Sequence, residues 1–273
     1  LLQCGVPAYH ASCAEATNND DIVVLEAYTA WIPSDKELKK ILSGAVLLDA
    51  DAAFVVQERG FGEHLGIWAG ERQSFAGIAE KYKTGTINKT ELRIPYRGYK
   101  WRKIKPQGAE ISSEYIDSQS NHYPASMIFT NKLGGRVAVY NNVGNLSPAG
   151  SFGNHARLDW LHGVLSWLSK NKFSTLSKIP HHALTIIKER KSETLLALAN
   201  LGTDPFQELT FDICHNGRIS KLMFLSKTGE WINIDYVMTE SDCLNRYGIT
   251  FKCNLNAFEW FIVKIVYLTE KMK

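Results

Sequence analysis

Asp49 and Asp51 are the residues best placed, by type and spacing, to do chemistry. They follow the apolar run Ala45-Val46-Leu47-Leu48 and open a helical pattern through Ala52, Ala53, Val55 and Val56. In α/β folds, sites form at the carboxyl ends of strands. Carboxylates at such a turn, with a nearby histidine, could support hydrolysis. The same position also favours Asp as a helix N-cap, which involves no chemistry. Two carboxylates two residues apart do not make a glycosidase pair, which must flank a sugar at a set separation.

The second candidate is aromatic. Tyr96, Tyr99 and Trp101 interleave with Arg97, Lys100, Arg102, Lys103 and Lys105. Such a pattern can bind single-stranded nucleic acid. Its rings can also stack on the apolar C–H faces of sugars, and a strand with one charged and one aromatic face reads the same way. The 31 basic and 28 acidic side chains leave a formal charge of only +3, a weak field for nucleic acid. If the chain contacts sugar, Tyr96, Tyr99 and Trp101 are the carbohydrate-binding candidates; a plain strand explains the pattern equally well.

Other motifs read more simply. Gly60-Phe61-Gly62-Glu63-His64-Leu65-Gly66 follows a helix rather than a strand, so it reads as a stop and a turn, not a phosphate loop. His155, Asp159 and His162 share a helical face that could hold a metal, but it is the polar face and reads as solvated surface. His181 and His182 are adjacent and would point to opposite sides of a strand. Five cysteines without a CxxC argue against a zinc site or a disulfide framework. No motif implies a metal or a cofactor. Asn88-Lys89-Thr90 is a glycosylation sequon, which matters only in a secreted chain.

These residues need elements to position them. Asp21–Leu25 and Ala45–Leu48 read as buried parallel strands. Between them, Ser34 and Glu37 form a capping box ahead of a helix with the stripe Leu38, Ile41 and Leu42, stopped by Gly44. From about 74 to 131 the pattern becomes extended, which predicts a β-rich insertion. Gly135–Tyr140 returns to a buried strand, and a helix follows from Asn154 to about Lys170, with Leu158, Leu161, Val164, Leu165, Trp167 and Leu168 on one face. Ser169–Pro180 reads as a linker. Beyond it lie short strands at Ala183–Glu189, Thr194–Leu201, Gln207–Cys214, Ile219–Leu225, Trp231–Met238, Ile249–Lys252 and Ala257–Tyr267, the spacing of a small antiparallel sandwich. The expected fold class is thus α/β plus all-β, with one domain over 1–172 and a second over 181–273. At 273 residues, 45% of them apolar, two cored domains are affordable. No apolar run reaches the ~20 residues that span a bilayer.

The run from Ile41 to Ala53, followed by Gln57-Glu58-Arg59-Gly60, resembles a flavodoxin-like domain. It is similar to the class I glutamine amidotransferase-like, or trimerisation-type, domain downstream of the catalytic barrel in β-galactosidase-related glycoside hydrolases. Gly5-Val6-Pro7 and Asp21–Leu25 fit that domain's early strands, and Gly135–Tyr140 with the helix through Asp159-Trp160-Leu161 fits its last strand and helix. Ala183–Tyr267 resembles the small sandwich that closes such proteins. True amidotransferases of this fold carry a Cys on a strained elbow; here that strand ends Leu47-Leu48-Asp49-Ala50-Asp51, so glutaminase activity does not carry over. The α/β part is also far too short for eight βα units.

The resemblance implies a non-catalytic accessory or assembly region of a larger glycoside hydrolase. Its natural partner would be an N-terminal catalytic domain, with homo-oligomerisation and carbohydrate as further expected contacts, and a periplasmic or secreted location favoured. Leu1-Leu2-Gln3-Cys4-Gly5 reads as the end of a helix, which predicts material upstream. Two other readings stand beside this one: a hydrolase in its own right using Asp49 and Asp51, and a carbohydrate-binding module.

Overall fold

The computed structural model describes residues 11–13, 15–17, 21–75, 77–83, 87–88, 99–142, 155–170, 175–177, 183–190, 192–214, 219–240 and 246–268. They fall into two compact units, one within His10–Lys170 and one within Asn171–Lys273. The first is α/β with a large β component; the second is all β.

In the first unit, β1 (Ile22–Leu25), β2 (Ala45–Asp49) and β9 (Arg136–Tyr140) are parallel neighbours. Helix α1 (Asp35–Leu42) begins at the expected capping box. The Ser34 hydroxyl accepts from the Glu37 amide, and the Glu37 carboxylate accepts from the Ser34 amide at 2.8 Å. Leu38, Ile41 and Leu42 are buried, so the stripe that drives the helix also docks it. Gly135 lets β9 start beside the end of α1, because a β-carbon there would collide with the Leu42 carbonyl oxygen. Helix α2 (Ala50–Val56) follows β2 directly. It runs into a wider turn, Gln57–Phe61, where Gly60 takes a φ of 85°. The glycine-rich stretch is therefore a helix stop and a turn.

The segment expected as a β-rich insertion widens the same sheet. Strands β4 (Gly77–Tyr82), β5 (Ile87–Asn88), β7 (Glu110–Asp117) and β8 (His122–Thr130) join antiparallel, giving the order β1-β2-β9-β8-β7-β4-β5. The tight turn Asn131–Gly135 explains the junction. The Asn131 side chain accepts from the Leu133 and Gly135 amides, both at 3.0 Å, and folds β8 back onto β9. Only β3 (Ile67–Phe75) and β6 (Tyr99–Pro106) stand apart, as a two-stranded ribbon. The described sheet is thus mixed, parallel across three strands and antiparallel beyond. Its core joins Val46, Leu48, Val137 and Val139 to Leu38, Leu42, Ala52 and Val56 of the helices. Helix α3 (His155–Leu168) buries Leu158, Leu161, Val164, Leu165 and Leu168, and leaves Asp159 exposed.

In the second unit, β10 (Thr175–Ser177), β13 (Phe206–Cys214), β17 (Arg246–Leu255) and β16 (Tyr236–Glu240) form one sheet, in that order. The other sheet runs β11 (Ala183–Arg190), β12 (Glu193–Asn200), β18 (Trp260–Tyr267), β14 (Ile219–Leu225) and β15 (Trp231–Asn233). Leu196, Leu198, Leu222, Val263 and Ile265 of one sheet pack with Leu209, Phe211, Ile249 and Phe251 of the other. Two expectations change. The linker candidate contains the edge strand β10, and the stretch expected as one strand over Trp231–Met238 is two. Asn233, Ile234 and Asp235 carry the chain from one sheet to the other, with Asn and Asp, poor strand residues, at the break.

Candidate functional site

The ends of β1, β2 and β9 meet at one carboxyl edge, and a buried polar network fills it. Asp49 ends β2 and caps α2. Its carboxylate accepts from the Ala52 amide at 2.7 Å and from the Ala27 amide, just beyond β1, at 2.9 Å. The Ala50 amide donates to the Asn142 carbonyl at 3.1 Å, tying the same turn to the end of β9. Asp49 is fully buried, and burial pushes its pKa up to about 6 despite the two amides. A carboxylic acid poised near neutrality is what a general acid needs. Here, however, its oxygens face main-chain amides of their own fold.

Asp51 behaves differently. It is 2% exposed, and it accepts from Arg102 Nε at 2.6 Å and from Arg72 Nε and Nη2 at 3.1 and 2.5 Å. Those hydrogen bonds raise the Arg72 pKa further above its ordinary value. Arg102 is held in turn. Its Nη1 donates to the Gly70 carbonyl at 2.7 Å, and its guanidinium lies 3.9 Å from the centre of the Phe54 ring. Asn141, immediately after β9, accepts from the Arg102 amide at 2.9 Å and donates to the Arg102 carbonyl at 2.9 Å. The network therefore pins the β3–β6 ribbon to the carboxyl edge. Among the described residues, no histidine hydrogen-bonds either carboxylate.

A second network lies beneath α3. Glu80 of β4 and Arg157 of α3 form an ion pair at 2.7 Å with both side chains fully buried. Ser113 donates to Glu80 at 2.7 Å and Tyr140 at 3.4 Å. Tyr82 lies beside the pair, and burial together with the Glu80 charge pushes its phenol pKa up. Closed from solvent, this cluster can hold α3 on the sheet but cannot meet a substrate.

The sequence candidates are thus scattered. Asp49 and Asp51 share the carboxyl edge but serve different partners. Trp101 is 5% exposed, packs with Tyr115 and Ala125, and meets Tyr123 edge-on at 4.8 Å. The Trp101 ring is thus enclosed, whereas Lys103 and Lys105 further along β6 are exposed. Tyr99 opens β6, but its side chain, like Tyr96 as a whole, lies outside the described residues. So do His181 and His182 and the His155 side chain. No three His, Cys, Asp or Glu side chains among the described residues converge as metal ligands. No described helix is long and apolar enough to cross a membrane. Arg72, Arg102, Asn141, Glu80 and Arg157 organise these networks; only Arg102 stood out in the sequence, and there as part of a basic stretch.

No protein-family model matches the sequence, and no curated protein matches it either. The fold is similar to parts of longer enzymes. α-L-Fucosidase isoenzyme 2 from Paenibacillus thiaminolyticus matches 91% of this chain and 41% of its own, at 10% identity and a TM-score of 0.58. Gan42B, a GH42 β-galactosidase from G. stearothermophilus, matches 89% of this chain and 31% of its own, at 11% identity and a TM-score of 0.50. The chain spans less than half the length of either, and at these identities the likeness is one of fold.

Proposed function

We propose that this chain is a non-catalytic accessory and assembly region of a larger glycoside hydrolase. On this reading residues 1–172 are a flavodoxin-like domain of the class I glutamine amidotransferase-like, trimerisation type, and residues 181–273 are the sandwich that closes such enzymes. The partner would be a catalytic domain carrying its own carboxylate pair. The observation that carries the reading is the burial of Asp49 and Asp51. Both accept from groups of their own fold and are closed from solvent, at 0 and 2% exposure, which favours a structural over a proton-transfer role. The fold likeness to parts of a fucosidase and a β-galactosidase supports it from outside.

An assembly role has a surface to use. Ile186, Trp231 and Trp260 lie on the outer face of the five-stranded sheet, at 42, 37 and 55% exposure. Exposed apolar side chains on this face are what an assembly contact would use. The test is an assay of the chain with aryl β-galactosides and aryl α-L-fucosides. No turnover above the buffer rate is expected. Turnover that disappears in Asp51→Asn would overturn the reading in favour of a hydrolase.

A further inference from the structure

The five-stranded sheet of the sandwich is apolar on both faces. β18 reads Trp260-Phe261-Ile262-Val263-Lys264-Ile265-Val266-Tyr267, and β12 contains Leu195-Leu196-Ala197-Leu198-Ala199. A sheet with one face in water alternates apolar with polar, whereas near-continuous apolar runs mark strands covered on both sides. Leu196, Leu198, Val263 and Ile265 face the sandwich core. Their neighbours along each strand point the other way, and there Ile186, Trp231 and Trp260 remain exposed.

That outer face forms a trough. Its floor is β12, with the small side chains of Ala197 and Ala199. Register places Ile186 of β11 and Ile262 of β18 on either side of Ala197, and Leu184 and Trp260 on either side of Ala199. Two strand spacings of ~4.8 Å make the trough ~10 Å wide, about the diameter of an α-helix. One row further along, Lys188 and Lys264 flank Leu195. Lys264 lies over the Trp231 ring at 4.1 Å, a contact that fixes the ammonium without neutralising it. Glu193, in the next row, is taken by Arg190 at 3.6 Å. That end of the trough is therefore positive on both banks.

We infer that this trough docks an amphipathic helix of another protein domain, with an apolar ridge and carboxylates along both borders. The inference deepens the assembly reading above and rests on it. The small floor between larger walls takes the ridge. The lysines on the two banks set the sign of the helix borders. A second copy of this chain is a poorer occupant, because α1, α2 and α3 keep their described apolar stripes buried. A lipid surface also fits less well. Acyl chains take up side chains that project, whereas the centre of this face is recessed, with Ala199 only 2% exposed.

The experiment is a titration of the whole chain, followed by amide chemical shifts, with a peptide helix of about 18 residues that carries Leu along one face and Glu along both borders. Saturable shifts are expected at 184–188, 195–199 and 260–264. A twin peptide with Lys in place of each Glu should bind about tenfold more weakly. Lys188→Glu combined with Lys264→Glu, at positions that are not buried, should keep the unfolding temperature and weaken the Glu peptide about tenfold or more. No saturable shift, equal binding of the two peptides, or indifference to the lysine changes would overturn the inference. Binding to phosphatidylserine vesicles without a response to the peptide would give the face to a membrane instead. A dimer that dissociates in Trp260→Glu would give it to a second copy. The accessory reading fails separately, through glycoside turnover, which the lysine changes leave untouched.

Discussion

The two units are held together by different physics. The described buried charges, Asp49, Asp51, Glu80, Arg102 and Arg157 among them, all lie in the α/β unit. In the sandwich the described buried polar residues are Thr185, Thr194 and Asn200, and the core between the sheets is apolar. A buried charge is tolerable only with its partner, so the α/β unit depends on specific pairs. An apolar core asks chiefly for volume and shape. The sharpest test of this difference is Arg157→Met. It leaves the fully buried Glu80 carboxylate without its cation, and a loss of about 3–5 kcal/mol is expected. Hydrogen exchange should show lost protection in β4, β7 and α3, with β12 and β18 unchanged. Adding Glu80→Leu should restore most of the loss, because the pair then leaves together. A near-neutral single variant would break the contrast.

The carboxyl edge adds a pH dependence that the sandwich core lacks. Asp49 has a folded-state pKa of about 6 against an ordinary 3.8, raised mainly by burial. The folded state therefore binds this proton more tightly than the unfolded state. Its contribution is fully present below about pH 4, is lost as pH rises through 6, and is absent above. The difference is on the order of 3 kcal/mol. Asp49→Asn should flatten that part of the stability profile between pH 4 and 7 while keeping a capping oxygen for the Ala52 amide. Unfolding measured across that range in both proteins checks it; identical slopes would show that Asp49 does not carry the effect.

A smaller effect is expected where only packing is changed. Leu198 is fully buried in the sandwich core. Leu198→Met nearly conserves volume, so a cost of about 1 kcal/mol is expected by urea denaturation. A loss as large as that of Arg157→Met would mean that the sandwich core is as intolerant as a buried ion pair.

The same division governs what could be read from the sequence. Features set within a few residues were legible. The Ser34–Glu37 capping box, the Gly44 stop and Asp49 as a cap each follow from one turn of chain, and Ile219–Leu225 is a strand with the limits its pattern suggests. The networks were not, because their partners are distant in sequence. Asp51 and Arg102 are 51 residues apart, Glu80 and Arg157 are 77, and no local periodicity marks a future salt bridge. Arg157 in particular sits among the helix residues that pattern alone assigns to neither stripe. The burial of Trp101 was not legible for a related reason. Alternation shows that Trp101 and Arg102 face opposite sides of β6, but not that other elements bury both side chains. The break at Asn233–Asp235 did carry a signal, two poor strand residues within one apolar run.

Within the α/β unit an exposed ion pair stands beside a buried one. Lys83 pairs with Glu110, which keep 68 and 53% of their side-chain surface, whereas Glu80 and Arg157 keep none. In water each exposed ion keeps most of its hydration, and holding two long side chains together costs entropy. Lys83→Ala should therefore cost less than about 0.5 kcal/mol, and added salt should erase the difference. Salt should leave the Arg157→Met loss unchanged, since ions do not reach a closed site. A salt-resistant loss at Lys83 would mean that the end of β4 is as well shielded as its centre, and the contrast between its surface and its core would then have to be drawn deeper in the fold.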